Sequence, residues 1–415
     1  MSSVVDKIPK GWVEVSLGEL VETNKNSIGQ TYKHNEIYYL DTGSITEGVI
    51  VELKKHDLQD APSRAKRLVQ NKDIIYSTVR PNQKHYGFIE NPLDNLVVST
   101  GFTVITTNND NCAKYIYYLL TLNSVTEYLH QLAEQSTSAY PSIKSIDLEN
   151  LEITIPKELQ EQKAIAKVLT AFDDKIENLR AQNQTLETLA QTIFKEWFGK
   201  YQIGDVLPEG WRVETLDNLL ELIIDYRGKT PKKLGMDWSG EGIPALSAKT
   251  IKNGKIVRRD AMNFGSPELY KLWMKDELKK GDILLTSEAP LGEMYYINDD
   301  TKFILSQRLF ALRVNEGISS EYLYDYLFSN YGQHLLNARA SGSTVQGIRQ
   351  SELRKIEVIV PEEKIMKKAS RIFRSAIQKK AINAKQIQSL TKTRDTLLPK
   401  LMSGQLRVNE FKSNL

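Results

Sequence analysis

Residues 8–22 read IPKGWVEVSLGELVE, and residues 207–221 read LPEGWRVETLDNLLE. Pro9, Gly11, Trp12, Leu17 and Leu20 recur as Pro208, Gly210, Trp211, Leu216 and Leu219. Working outward, the register persists. NKDIIYSTV (71–79) matches KGDILLTSE (280–288), with Asp73 against Asp282. Tyr115, Tyr117 and Leu120 match Tyr322, Tyr324 and Leu327, and STSAYPSIKSIDLENLEITIP (136–156) aligns with SGSTVQGIRQSELRKIEVIVP (341–361). The offset drifts from 199 to 209 and back towards 200, which places a few insertions inside each half. A period of about 200 residues is too long for a solenoid, so the chain is a tandem duplication of a whole domain plus a helix.

The helices are the clearest periodic signal. Within 158–200 the apolar positions run Ile165, Leu169, Phe172, Ile176, Leu179, Asn183, Leu186, Ala190, Ile193 and Trp197, a 4-3 spacing with no Pro or Gly before Gly199. That is the pattern of a coiled-coil seam. Residues 362–402 follow with Ile365, Ala369, Ile372, Ala376, a polar stretch, then Ile387, Leu390, Leu397 and Leu401. Asn183 and Asn383 both fall on the seam, where a buried polar residue fixes register at some cost in stability. Pro156 and Pro361 stand just before the helices, where proline is tolerated. About 40 residues give a rod of roughly 60 Å. Each helix could pack on its own domain; a long seam that occurs twice instead predicts two antiparallel helices paired with each other.

Between the helices, KDIIYSTV, LVVSTGFTVIT, DILLTS, FILSQRLFALRV, LEITIP and IEVIVP are strand candidates rich in β-branched residues and bounded by Gly, Pro or Asn. TEYLHQLAEQ and EYLYDYLFSNYGQHLLN read as helices. The expected fold is therefore mixed α/β (α+β): two similar globular domains, two long antiparallel helices and a pseudo-twofold duplication. The expected boundaries are 1–156 and 203–361 for the globular domains, 157–202 and 362–408 for the helices, and 409–415 for a tail.

Composition bounds the chemistry. The 415 residues carry 55 Lys+Arg against 52 Asp+Glu, with 40% hydrophobic residues and a single cysteine, Cys112. That excludes a disulfide framework and a multi-cysteine metal cluster. No run approaches the ~18 apolar residues of a membrane span, and MSSVVDKIPK lacks the apolar stretch of a secretion signal, so the expectation is a cytoplasmic protein without membrane contact. Five scattered histidines (His34, His56, His85, His130, His334) form no HxxxH or HExxH pair. There is no GxxxxGK[ST] phosphate loop, no GxSxG, and no Asn/Asp-Pro-Pro-aromatic loop. Asp173 and Asp174 are adjacent on a helix and read as a solvated face. The chain is expected to bind no metal or cofactor and to catalyse nothing.

Basic and amide-rich loops occur in both halves instead. The first offers Arg64, Lys66 and Arg67, then Arg80, Asn82, Gln83, Lys84 and Tyr86. The second offers Tyr226, Arg227, Lys229, Thr230, Lys232 and Lys233, then Lys249, Lys252, Lys255, Arg258 and Arg259. Arg to guanine and Asn or Gln to adenine are bidentate base contacts, whereas Lys, Ser and Thr suit phosphates. One such cluster is also what a solvated loop carries; recurrence in both repeats raises the DNA reading. Residues 364–408 carry twelve Lys+Arg and one acid, Asp395. A rod so positive is expected to run near a phosphate backbone or to dock an acidic partner.

The order of a Pro-x-Gly-Trp start, an α/β domain, a strand ending in LEITIP (151–156) or IEVIVP (356–361) and a long helix, performed twice, resembles the specificity (S) subunit of type I DNA restriction–modification systems. GW at 11–12 and 210–211, DYRGKTPK at 225–232, SGSTVQGI at 341–348, EQKAIAKVLTAFDDKIE at 161–177 and TLLPKLMSGQL at 396–406 carry the likeness, which spans essentially the whole chain. At 136–143, STSAYPSI departs from the SGST pattern. The resemblance implies two target-recognition domains, each reading one half of a bipartite asymmetric site on double-stranded DNA. Ser341, Ser343, Thr344, Gln346 and Arg349 in the matched loop become candidate contacts. It further implies helices that set the gap and hold two modification (methyltransferase) subunits, with motor-nuclease restriction subunits joining them. S-adenosylmethionine, ATP and Mg would then sit on those partners. A coiled-coil scaffold that binds only proteins is the alternative.

Overall fold

Both Pro-x-Gly-Trp motifs fold as turns closed by the tryptophan amide: Trp12 N donates to Pro9 O at 3.0 Å and Trp211 N to Pro208 O at 3.1 Å. Gly11 and Gly210 sit at φ +84° and +78°, the left-handed third position that a type II turn requires and glycine supplies without strain. The computed structural model describes residues 8–135, 140–342 and 344–408, so Ser343 and the 409–415 tail lie outside the described residues. The chain divides into two compact units, residues 1–177 with 388–415, and residues 178–387.

In the first unit, Trp12–Ser16 pairs antiparallel with Glu152–Pro156. An antiparallel sheet follows the order Val21–Thr23, Phe102–Thr107, Ile74–Ser77, Tyr86–Phe88. A second sheet has the order Lys54–Asp57, Glu36–Leu40, Leu96–Ser99, Ala65–Leu68, with Leu96–Ser99 parallel to Glu36–Leu40. The second unit repeats the scheme. Arg212–Thr215 pairs with Glu357–Val360, and Leu220–Asp225, Leu309–Val314, Ile283–Thr286 and Met294–Tyr296 form the antiparallel sheet. Asn263–Gly265, Ile243–Leu246 and Ile304–Leu305 form the other sheet, again with one parallel pair. The core of each unit lies where the antiparallel sheet meets a tyrosine-rich helix, Ala113–Leu120 or Ser320–Phe328.

Three expected elements divide. LVVSTGFTVIT and FILSQRLFALRV each make two strands in different sheets, because the chain turns at Thr100–Gly101 and Gln307–Arg308. EYLYDYLFSNYGQHLLN breaks at Ser329 into Ser320–Phe328 and Asn330–Ala338. There the Ser329 hydroxyl donates to Tyr326 O at 2.6 Å and accepts from Gly332 N at 3.1 Å, ending one helix and capping the next.

The two long helices run Leu159–Trp197 and Glu363–Met402. Within each unit their halves pack antiparallel. In the first unit Asp173 meets Arg394 at 2.6 Å and Glu161 meets Arg407, beside a core of Ile165, Leu169, Leu401 and Trp12. In the second, Lys380 meets Glu187, and Phe194 lies against Phe373 with ring centroids 6.4 Å apart. Asn383 Nδ2 donates to Asn183 Oδ1 at 2.9 Å, so the two asparagines expected on the seam bond to each other across it.

The seam differs in detail from its sequence reading. Ile165, Leu169, Ile176, Leu179 and Asn183 are buried, while Phe172 and Leu186 are half-buried. Ile193 is only half-buried and Phe194 takes the interior position; likewise Ile372 yields to fully buried Phe373. A straight α-helix drifts about 20° per heptad against a 3.5-residue repeat. Over the four heptads from Ile165 to Ile193 that is about 80°, enough to bring the next residue inward. In the second helix the interior row runs Met366, Phe373, Lys380, Ile387, Arg394 and Leu401, alternating with Ala369, Ala376, Asn383, Leu390 and Leu397. The cations at 380 and 394 disguised it as a polar stretch. Nor is Asp173 a merely solvated carboxylate: it binds Arg394 and accepts from the Tyr118 hydroxyl at 2.6 Å.

Replacing Asn183 or Asn383 singly by leucine strands the other amide in the interface, at an expected cost of about 1–3 kcal/mol. The double Asn183→Leu, Asn383→Leu change is expected to be nearly neutral in chemical denaturation while losing the polar pair that specifies register. Additive losses in the double variant would show that the two amides are not coupled.

Candidate nucleic-acid interface

Three segments meet at one juncture in each unit. In the first, Thr78 N donates to Gly101 O at 2.8 Å and Ile143 N to Thr78 O at 2.9 Å, with Val79 bridged to Ser142. In the second, Ser287 N donates to Arg308 O and Ile348 N to Ser287 O, both at 2.9 Å, with Glu288 bridged to Gly347. Thr78, Val79, Arg80 and Gly101 therefore correspond to Ser287, Glu288, Ala289 and Arg308. The duplicated framework builds this juncture twice from backbone bonds, and the side chains it carries differ.

In the first unit Arg80 is exposed at φ +48°, its N held by Pro141 O at 2.9 Å and its guanidinium 5.4 Å from the centroid of the Tyr140 ring. Asn82 and Gln83 are exposed beside it, with Gln83 Oε1 3.1 Å from His85 Nε2. Lys84 pairs with Glu47 at 3.1 Å. Tyr86 is no surface contact: strand alternation turns it inward, where it stacks on Tyr76 and burial pushes its hydroxyl far above the usual range. Arg64 and Lys66 are exposed on or beside the strand Ala65–Leu68. Arg67 is half-buried with its Nε unpartnered among the described residues, and burial lowers its pKa.

In the second unit three candidates serve the fold instead. Tyr226 accepts from Asp276 N at 2.7 Å. Lys229 folds back to donate to Trp273 O at 2.7 Å and lies over the Tyr226 ring, its pKa lowered by burial. Thr230 caps the 3-10 turn Pro231–Leu234. Each sits on a loop whose backbone needs the side chain, which the sequence did not distinguish from a loop that displays it. Lys233 donates to Gly228 O, while Lys232 and Lys249 are exposed.

Arg227 forks onto its neighbour. Nε and Nη2 reach Asp225 at 2.9 and 2.7 Å, and the guanidinium stacks 4.1 Å from the centroid of the Phe310 ring. Its bidentate face is occupied. Asp225, Arg227, Gly228, Glu288, Gln307 and Arg308 line a cleft of about 470 Å³. Glu288, Gln307 and Arg308 were missed in the sequence; the only signal was the alignment of SQR (306–308) with STG (99–101).

The hairpin Ile251–Lys252/Lys255–Ile256 has Asn253 and Gly254 at φ +48° and +68°, a primed turn. It sets Lys252 directly opposite Lys255, both exposed. Like charges in register oppose pairing, so this positive tip is kept against the interest of the hairpin. Arg258 and Arg259 extend it, exposed. The matching hairpin Ile45–Thr46/Val49–Ile50 carries Glu47 and apolar residues. In both, the turn glycine lies against the counterpart tyrosine: a Cβ at Gly48 would fall 2.7 Å from the Tyr117 hydroxyl, and one at Gly254 2.9 Å from that of Tyr324. Ser341, Thr344 and Gln346 are exposed on the loop closed by the Ser341–Gly347 bridge, and Arg349 is exposed two residues beyond it, at the start of the helix Gln350–Leu353.

The basic helix is less free than its composition suggests. Arg374 pairs with Glu321, Lys380 with Glu187, Lys385 with Asp299, Arg394 with Asp173, Arg407 with Glu161, and Lys367 with Glu363. Half of its twelve cations are thus already paired with a carboxylate of their own unit.

No helix among the described residues is long and apolar enough to cross a membrane. The chain is 26% identical to the HindI specificity subunit of Haemophilus influenzae, over 95% of this chain and 99% of that one. It is also 26% identical to the MjaIX specificity subunit of Methanocaldococcus jannaschii, over 98% and 96%. In fold it is similar to the type I restriction–modification S subunit from M. genitalium, with TM-score 0.58 and 19% identity over 94% and 96% of the two chains. The family model described as type I restriction modification DNA specificity domain matches twice, at residues 9–188 and 208–392, once for each copy of the duplicated framework. The chain belongs to that family.

Proposed function

We propose that this chain is the specificity subunit of a type I restriction–modification complex, each unit reading one half of a bipartite, asymmetric site on double-stranded DNA. The observation that carries the reading is that one framework juncture is built twice and furnished differently: Arg80 over Tyr140 in one unit, the Asp225–Arg227 and Glu288–Arg308 cleft in the other. Equal frameworks with unequal side chains suit two different half-sequences. The long helices act as a spacer that sets the gap and dock two modification subunits. Those subunits supply the S-adenosylmethionine site and adenine methylation, and restriction subunits supply ATP- and Mg-dependent translocation and cleavage, in the cytoplasm. This chain contributes recognition only, binding neither cofactor nor metal.

Selection from a randomised duplex library by the full chain, co-expressed with the modification subunits of its own system, is expected to enrich one split motif with a fixed gap. A single contiguous motif would overturn the two-reader assignment. Absence of any enrichment at low salt would favour a protein-binding scaffold instead, a reading the exposed Lys252–Lys255 tip argues against.

A further inference from the structure

Resting on the DNA reading above, we infer that Arg308 is a guanine-reading residue of the second unit and the functional counterpart of Arg80 in the first, although the two come from different positions of the repeat. The framework bonds equate Arg80 with Ala289 and Gly101 with Arg308. Each juncture therefore carries one arginine, moved from one loop to its neighbour.

The steric reason lies in the first unit, where a Cβ at Gly101 would fall 2.9 Å from Thr42 Cγ2, so any side chain there would force Thr42 to shift. In the second unit the same place is open to the cleft and holds an arginine at φ +64°. A non-glycine residue there is strained, and such strain persists where the side chain has a task.

Of the two arginines lining the cleft, Arg308 is the more exposed, at 48% against 32%. Arg227 gives its fork to Asp225. Arg308 meets Glu288 through Nε at 3.0 Å and keeps about half of its side chain exposed. Glu288 is a positioning residue: it orients the guanidinium and offsets its charge, which disfavours simple capture by a phosphate. The terminal amines of an oriented guanidinium match O6 and N7 of guanine in the major groove. Arg80 is presented by another device, stacking over Tyr140, with the same planar fork.

The test uses Arg308→Gly and Arg80→Gly in the full chain with its modification subunits. Glycine removes the side chain and accepts the positive φ at both positions, so melting behaviour should not fall. Selection from the randomised duplex library is expected to show R308G losing discrimination at a single G·C pair, by roughly five- to 150-fold, with every other position retained. R80G should lose a single pair in the opposite half-site. Arg308→Gln should move the preference at the affected position from guanine to adenine, the base a glutamine amide reads, and it serves equally if R308G fails to fold. If wild type enriches a split motif but R308G leaves every position unchanged, or weakens all sequences evenly, Arg308 reads no base and the inference falls while the two-reader assignment stands. Loss by both variants in the same half-site would overturn the counterpart assignment. If wild type enriches no motif, the underlying DNA reading fails with it.

Discussion

Phe373→Ala is expected to cost about 3–5 kcal/mol, the range for truncating a fully buried aromatic ring, whereas Ile372→Ala, one residue earlier, should cost about 1 kcal/mol. Phe373 has no exposed surface and sits between Phe194 and the core of the second unit. Ile372 is half-buried at the edge of the same helix face. The offset of 200 that pairs Asn183 with Asn383 also equates Asp173 with Phe373 and Phe194 with Arg394. One crossing point of the helices is thus an ion pair in the first unit and an aromatic pair in the second. Guanidinium denaturation of the two variants checks the register directly: equal losses would refute the placing of the interior row of the second helix on Phe373.

Asp325→Asn is expected to stabilise the protein, by roughly 2–4 kcal/mol above pH 7, and to flatten its pH profile. Asp325 is buried at the helix interface beside a cavity of about 10 Å³. One carboxyl oxygen accepts from Gln191 Nε2 at 3.1 Å and the other has no partner among the described residues. Burial outweighs the attraction of Lys380 and, with Glu187 and Glu321 nearby, pushes the carboxyl up from its ordinary 3.8 to about 7. A raised carboxyl pKa means the folded state binds the proton more tightly than the unfolded chain. The contribution is therefore complete below pH ~4 and is lost as pH rises to about 7. Asparagine keeps the neutral form throughout. Thermal melts between pH 4.5 and 8 should show wild type losing stability over that window relative to D325N. Parallel curves would mean the carboxyl titrates normally. The matching place in the first unit is Tyr118, whose hydroxyl donates to Asp173, so the effect belongs to the second unit.

Comparing the two repeats clarifies which features local sequence could reveal. The duplication, the two helices and the seam asparagines were legible because each depends on spacing along the chain. Pro-x-Gly-Trp was legible as a repeat and is explained by a turn that needs glycine at its third position. Not every interior position was legible, since drift accumulates along the first helix and, in the second, Lys380 and Arg394 occupy inward places. Tyr86, Tyr226, Lys229 and Thr230 looked like loop contacts because residue type does not say whether a polar atom meets solvent or a backbone carbonyl.

What the chain determined by itself is the architecture: two copies of one α/β framework, each followed by a long amphipathic helix, since period and turn chemistry are local properties. Tertiary structure alone decided which side chains are committed to the fold and which are exposed at the junctures. Arg227 and Arg308 are the same residue type, yet one is closed onto Asp225 by two hydrogen bonds and the other meets Glu288 through Nε with about half of its side chain exposed. That difference arises where three strands of one sheet end together: Asp225 and Arg227 close the strand Leu220–Asp225, Arg308 precedes Leu309–Val314 and Glu288 follows Ile283–Thr286, and the pairing of strands more than 80 positions apart leaves no periodic trace in the sequence.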